Sequence, residues 1–219
     1  MNYKISPSIL AADFNDLGDN IALVEKERAD YLHIDVMDGV FVPSISFGMP
    51  VIKSIRKKSS LFFDVHLMIV DPDRYIENFA ECGADGITVH LEASKDIDRT
   101  VSLIRSTGKK VGLSISPETP VSDITDEILK KTDMILVMTV RPGFGGQKYM
   151  DECTQKIREV RKRAEELGMD LDIEVDGGID RKTITTVIDA GANVIVMGSS
   201  IFNGDIRQNM KYFRKVLGI

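Results

Sequence analysis

A closed barrel of eight parallel strands alternating with helices, a (βα)8 architecture of the α/β class, is predicted from three observations. Short runs rich in Ile, Val, Leu and Met recur eight times along 219 residues, each followed by a longer amphipathic stretch. Several of those stretches stop at a glycine that leads into the next apolar run. The alternation uses the chain from end to end and leaves no linker or low-complexity segment, so residues 1–219 are read as one barrel domain.

In chain order, strands are predicted at Lys4–Leu10, Asp30–Met37, Leu61–Met68, Gly86–His90, Lys110–Ser116, Met134–Val140, Leu171–Val175 and Val194–Met197. The helical pattern is clearest over Met150–Leu167, where Ile157, Val160, Ala164 and Leu167 recur at three- and four-residue spacing beside a charged, solvated face. Gly83, Gly108, Gly168 and Gly191 are the helix-stop positions and are read as structural.

A hydrophobic fraction of 43% with 28% charged residues is enough to bury a sizeable core and argues against disorder. The formal charge of −6, from 28 basic and 34 acidic side chains, discourages a broad nucleic-acid-binding surface. Cys82 and Cys153, both in helical patterns, make no disulfide framework and suit a reducing compartment. Met1-Asn-Tyr-Lys-Ile5 carries no signal-peptide pattern, and no apolar run approaches the ~18 residues of a membrane span. A cytoplasmic location without membrane or nucleic-acid partners is therefore expected.

Chemistry concentrates at strand ends. His33 and Asp35 are two residues apart on one predicted strand and so share a face, while Ile34 packs the other way. His66 and Asp176 end two further strands, and in such a barrel the strand C-termini surround one mouth. Neutral imidazole with carboxylate suits a divalent cation such as Zn, Mn, Fe or Co, and the lack of a nearby thiolate speaks against a structural zinc. Taken singly, each residue has a plainer reading: a strand-end Asp caps a turn, and a buried His satisfies the core. Asp38, before Gly39, is assigned to the turn, and His90 is read as structural.

A second constellation would hold an anion. Arg141-Pro-Gly-Phe-Gly-Gly-Gln147 follows the sixth strand, Gly177-Gly178 the seventh and Gly198-Ser199-Ser200 the eighth. Glycines admit backbone amides close to phosphate oxygens, and the loops after strands seven and eight are the recurrent phosphate position in this barrel class.

Over nearly the whole chain these residues fall into motifs: Ser6-Pro-Ser-Ile-Leu-Ala-Ala-Asp-Phe14, His33-Ile-Asp-Val-Met-Asp38, Asp64-Val-His-Leu-Met68, Pro142-Gly-Phe-Gly-Gly-Gln147 and Glu174-Val-Asp-Gly-Gly178. The chain closely resembles the ribulose-phosphate 3-epimerase family. That resemblance implies a TIM barrel of the ribulose-phosphate-binding type, holding one divalent metal per subunit through His33, Asp35, His66 and Asp176. It implies Asp35 and Asp176 as the acid/base pair. Ser8, His66, Gly143, Phe144, Gly145, Gly146, Gly177, Gly178, Gly198 and Ser199 would contact the phosphosugar, and the sulfurs of Met37, Met68 and Met138 would line the site. Plainer readings are core filling for the methionines and a backbone hydrogen bond for Ser8. A homo-oligomer and a place in the pentose phosphate pathway follow from the same resemblance.

The implied reaction interconverts D-ribulose 5-phosphate and D-xylulose 5-phosphate. The inverted C3 lies beside the C2 carbonyl, so loss of its proton gives an enediolate whose charge a metal can neutralise. One carboxylate removes the proton and the other returns one to the opposite face, so one must start protonated and the pair titrates as a unit.

Three departures from the family pattern touch substrate choice: Arg141 before the Pro-Gly-Phe-Gly-Gly loop, Leu91 where Pro is expected, and Ser116 where Asn is common. D-allulose-6-phosphate 3-epimerases, which act on D-allulose 6-phosphate and D-fructose 6-phosphate, share the barrel and the chemistry and are the enzymatic alternative. A related decarboxylase would need Asp-x-Lys-x-x-Asp, and Asp35-Val-Met-Asp38 lacks the Lys. A noncatalytic sugar-phosphate-binding barrel would need the glycine loops without the opposed carboxylates.

Overall fold

The computed structural model describes residues 1–219. Its strands are β1 (Lys4–Pro7), β2 (Tyr31–Met37), β3 (Phe62–Met68), β4 (Gly86–His90), β5 (Lys110–Ile115), β6 (Met134–Met138), β7 (Asp172–Asp176) and β8 (Val194–Met197). The helices are α1 (Leu17–Lys26), α2 (Met49–Arg56), α3 (Ile76–Cys82), α4 (Ile97–Ser106), α5 (Asp126–Leu129), α6 (Cys153–Glu166), α7 (Ile184–Asp189), α8 (Ser199–Phe202) and α9 (Ile206–Leu217).

All eight strands form one sheet in the order β1-β8-β7-β6-β5-β4-β3-β2, with every paired neighbour parallel. A single parallel bridge between Ser8 and His33 joins β1 to β2 and closes the ring. The fold is a TIM barrel. The predicted first strand runs too far: the strand ends at Pro7, Ser8 makes the last bridge, and a tight turn over Ile9–Ala11 carries Leu10 into the mouth. Helix α6 likewise starts later than the pattern suggested, because Met150 donates its amide to the Thr139 carbonyl at 2.9 Å and is held in the loop.

Strand alternation separates two environments. Ile5, Ile34, Val65, Ile87, Leu113, Ile135, Val175 and Ile195 face outward and pack under the helices in one continuous apolar core. The intervening positions point inward, and many are polar: Ser6, His33, Asp35, Asp64, His66, Thr88, His90, Ser114 and Glu174 are all buried. Branched apolar residues usually fill such a lumen. Here it is largely polar and ionisable. The stop glycines Gly83, Gly108, Gly168 and Gly191 all have positive φ, and both cysteines are free. No helix is long and apolar enough to cross a membrane.

Candidate active site

The register of β2 and β3 sets His33 beside Asp64 and Asp35 beside His66, while Asp176 closes β7 across the lumen. His33, Asp35, His66 and Asp176 thereby offer one ligand atom each within 4.8 Å of one another. His33 Nε2 lies 3.2 Å from Asp35 Oδ1 and 3.9 Å from Asp176 Oδ2, and His66 Nδ1 lies 3.1 Å from Asp35 Oδ1. Both imidazoles are fully buried.

Each ring is held from behind. His33 Nδ1 is 2.7 Å from Asp64 Oδ2 and 3.5 Å from Glu174 Oε1, which assigns the Nδ1 proton to the Asp64 bond and turns Nε2 toward the cluster. That Nε2 is buried and has no hydrogen-bond partner. An imidazole oriented by a carboxylate and carrying an orphaned nitrogen toward two further carboxylates is the arrangement metal-binding histidines adopt. The donor set of two imidazoles and two carboxylates fits a divalent ion.

The carboxyl groups are driven apart in proton affinity. Burial opposes ionisation of Asp35, but the neighbouring charge of His33 and the hydrogen bond with His66 outweigh it and hold the group well below the usual carboxylate range. Burial and the neighbouring negative Asp35 push Asp176 up to about 7. Burial, reinforced by Asp64, keeps Glu174 well above its ordinary value, while the charge of His33 and its hydrogen bond hold Asp64 below its own. Burial also lowers His90 to about 4, leaving it neutral.

Above the quartet opens a cavity of about 460 Å³ lined from β1, β2, β3, β6, β7 and β8. Ser8, Asp35, Met37, Met68, Met138 and Asp176 form its floor and walls, and Gly143, Phe144, Gly145, Gly146, Gly177, Gly178, Gly198 and Ser199 surround one side. Gly177 and Gly178 have φ of +118° and +68°, and a Cβ on Gly178 would stand 2.2 Å from the Tyr149 nitrogen. Only glycine lets the loop after β7 pass under the loop after β6 and keep its amides at the cavity edge.

The model of the ribulose-phosphate 3 epimerase family matches residues 4–202. The chain belongs to this family. It is 48% identical over 206 residues to the ribulose-phosphate 3-epimerase of Bacillus subtilis, covering 94% of each chain. The enzyme of the same name from Synechocystis is 48% identical, with 92% of this chain and 88% of that one covered, and the one from Escherichia coli K12 is 46% identical with 92% and 89% covered. The family member is thus an enzyme of the isomerase class. Among solved structures, 3-hexulose-6-phosphate synthase superposes with a TM-score of 0.72 at 18% identity, covering 97% of this chain and 98% of the other. A Pyrococcus furiosus tryptophan synthase α-subunit gives 0.71 at 17%, covering 99% and 98%. At such identities these two speak for the barrel alone.

In this epimerase-family barrel the sequence-derived residues converge, in two layers. His33 and His66 lie beneath the floor, and the remaining candidates line the cavity. Ser8 does not bond backbone through its hydroxyl: Oγ donates to Asp35 Oδ2 at 2.6 Å. Met37 and Met68 cluster with Val42, and Met138 with Leu136 and Val140, apart from the main core. Asp38 is the turn residue expected, accepting from the amides of Val40, Phe41 and Val70 at 2.8 Å each. Arg141 is outside the cavity lining, paired to Glu118 at 2.6 Å. Asp64 and Glu174 went unread in the sequence, although each stands two residues before a ligand and so on the same inward face.

Proposed function

We propose that this family member interconverts D-ribulose 5-phosphate and D-xylulose 5-phosphate by proton transfer at C3, with Asp35 and Asp176 as the two acid/base groups. One observation carries the reading: two carboxylates from β2 and β7 share one mouth and are held apart in proton affinity, Asp35 low and Asp176 pushed up to about 7. Asp35 takes the C3 proton from one face and Asp176 supplies one to the other. The reverse reaction exchanges their roles.

His33, Asp35, His66 and Asp176 would hold one divalent ion, Zn, Fe, Mn or Co. Such an ion, when bound, supplies Lewis-acid stabilisation of the negative charge that develops on the substrate. The Ser8 hydroxyl steadies Asp35 through its 2.6 Å bond, keeping one carboxylate oxygen turned from the cluster. Met37, Met68 and Met138 cover the reacting carbons with polarizable, nonexchanging groups and keep bulk water from the carbanion. Amides of Gly145, Gly146, Gly177, Gly178, Gly198 and Ser199 bind the phosphate at the opposite side of the cavity. The departures at Arg141, Leu91 and Ser116 all lie outside the cavity lining and give no ground for a six-carbon pocket, and the relatives at 46–48% identity named ribulose-phosphate 3-epimerase support the five-carbon substrate. Homo-oligomerisation is carried by the family resemblance, and a cytoplasmic location by the two free cysteines.

The test is a side-by-side assay of D-ribulose 5-phosphate and D-allulose 6-phosphate with metal-loaded and chelated protein. The five-carbon sugar is expected to lead in kcat/KM by at least about tenfold, with activity lost on chelation. A reversed ratio reassigns the substrate. Turnover that survives complete metal removal sinks the metal reading, and absence of C3 proton exchange with deuterated solvent sinks the epimerase reading.

A further inference from the structure

A file of hydrogen bonds runs outward from His66 that no step above employs. His66 Nε2 lies 2.9 Å from His90 Nε2, and His90 Nδ1 lies 3.2 Å from Glu92 Oε2. Glu92 Oε1 accepts from the Ser116 amide at 2.8 Å and from the Thr119 hydroxyl. Lys156 of α6 in turn donates to the carbonyls of Ser116, at 2.9 Å, and Thr119. The two imidazole planes are within 24° of each other with centroids 5.0 Å apart, so the rings meet edge to edge as an in-plane N–H···N bond requires.

The file ends on a carboxylate at each side, Asp35 within and Glu92 without, and a cation at the quartet removes the inner demand for a proton and leaves the outer end to set the direction. An ionised carboxylate only accepts, so Glu92 draws the Nδ1 proton of His90. A neutral imidazole then has one lone pair left, on Nε2, which accepts from His66. With its proton on Nε2, His66 has a bare Nδ1 facing Asp35 Oδ1 at 3.1 Å, two acceptors that only a cation between them can reconcile. Reversing any bond in the file would put a hydrogen on Nδ1, where a cation needs a lone pair.

We infer that His90 and Glu92 are positioning residues that preset the tautomer of His66 so that Nδ1 is offered to the divalent cation. This rests on the reading of the quartet as a metal site. Ser116 takes part as well, because its backbone amide, indifferent to side-chain identity, anchors Glu92.

Three variants separate tautomer control from mere packing. Glu92→Gln can keep its oxygen on the Ser116 amide only by turning an NH2 toward His90, which reverses the file. His90→Leu removes the acceptor. His90→Gln keeps the direction, with its carbonyl accepting from His66 and its NH2 donating to Glu92. Zn2+ affinity, measured by competition with a chromogenic chelator, is expected to fall about 10–100-fold in Glu92→Gln and His90→Leu and to stay within about threefold in His90→Gln. In the metal-free protein Asp35 and Glu92 compete for the His66 proton, so 15N shifts of His66 should move toward the Nδ1–H pattern in Glu92→Gln and not in His90→Gln.

Wild-type Zn2+ affinity and an unchanged His66 tautomer in Glu92→Gln would overturn the inference. Should that variant not fold, equal affinities for His90→Gln and His90→Leu would overturn it. Failure of the metal reading looks different: neither wild type nor His33→Ala would then bind Zn2+.

Discussion

Each end of the barrel carries a cavity lined with ionisable side chains, and the contrast between them is instructive. At the N-terminal ends of the strands, a cavity of about 320 Å³ is bordered by Lys4, Tyr31, Lys110, Asp133, Arg161 and Asp172. Of the charged side chains there, Lys4, Lys110, Asp133, Arg161 and Asp172 each have a local partner, and Asp170 does not. Lys4 Nζ is 2.5 Å from Asp172 Oδ2 and 5.2 Å from the Tyr31 ring centroid, Lys110 meets Asp133 at 3.3 Å, and Arg161 donates to the carbonyls of Gly191 and Leu171 and to Asn193. At the opposite end His33 Nε2 is orphaned and Asp176 is lifted to about 7 by burial and by its carboxylate neighbour. A count of lining charges would not tell the two apart. What distinguishes the upper one is charge left unresolved by the protein itself, consistent with the placement of chemistry at strand C-termini.

Asp35→Asn and Asp176→Asn test that contrast hardest. Each is expected to lower kcat/KM for D-ribulose 5-phosphate by about 10³-fold or more, with the circular-dichroism spectrum retained. A metal-loaded variant within about tenfold of wild type would break the two-carboxylate mechanism.

Acid should strip the upper site before it touches the lower one. In the metal-free protein Asp176 holds its proton below about 7, and Asp35 and Asp64 overcome burial to raise His33 well above its ordinary value. A cation displaces the proton on His33 Nε2 and competes with the one on Asp176, so affinity falls as pH falls, by up to roughly tenfold per unit for each proton displaced. Zn2+ affinities at a series of pH values between about 6 and 8 would check this, and a flat profile would contradict it.

Gly178→Ala sharpens the comparison at the cradle. Strain at φ +68° and the encounter with Tyr149 are expected to raise KM about tenfold with kcat little changed, and to cost about 1–3 kcal/mol in urea unfolding. An unchanged KM would detach this loop from phosphate binding.

The smallest effect belongs to the lower end. Lys4→Ala should leave kcat/KM within about twofold and cost no more than about 1 kcal/mol, since the pair is part-exposed and solvent screens it. A large activity loss would mean that the two ends are coupled and the distinction drawn between them is wrong.

Strand positions were legible because apolar periodicity and stop glycines are local. The predicted second to fifth, seventh and eighth strands agree with the structure to within one residue at each end. The first and sixth were extended by two residues or more at the C-terminus, where turns into the mouth use side chains as apolar as the strands: Ile9 and Leu10, then Val140. The ligand quartet was legible from strand-end chemistry. Its supports were not equally so. Asp64 and Glu174 follow from alternation once the ligand face is known, whereas Glu92 depends on where the Ser116 loop comes to rest, a long-range fact with no local trace.

The seam between β1 and β2 has a consequence for motion. Apart from the Ser8 to His33 bridge, it is held by the exchange between Ile5 and Asp30, in which the Ile5 amide reaches the Asp30 carboxylate at 2.9 Å and the Asp30 amide the Ile5 carbonyl at 3.0 Å. Every other junction in the ring is a continuous ladder. The barrel therefore breathes most readily along this line, and the line ends in Ser8 and its bond to Asp35. A sugar phosphate gripped by the closed mouth, and not by the parted one, would act as a clasp, so amide exchange along β1 should slow on saturation by the factor that the bound fraction dictates.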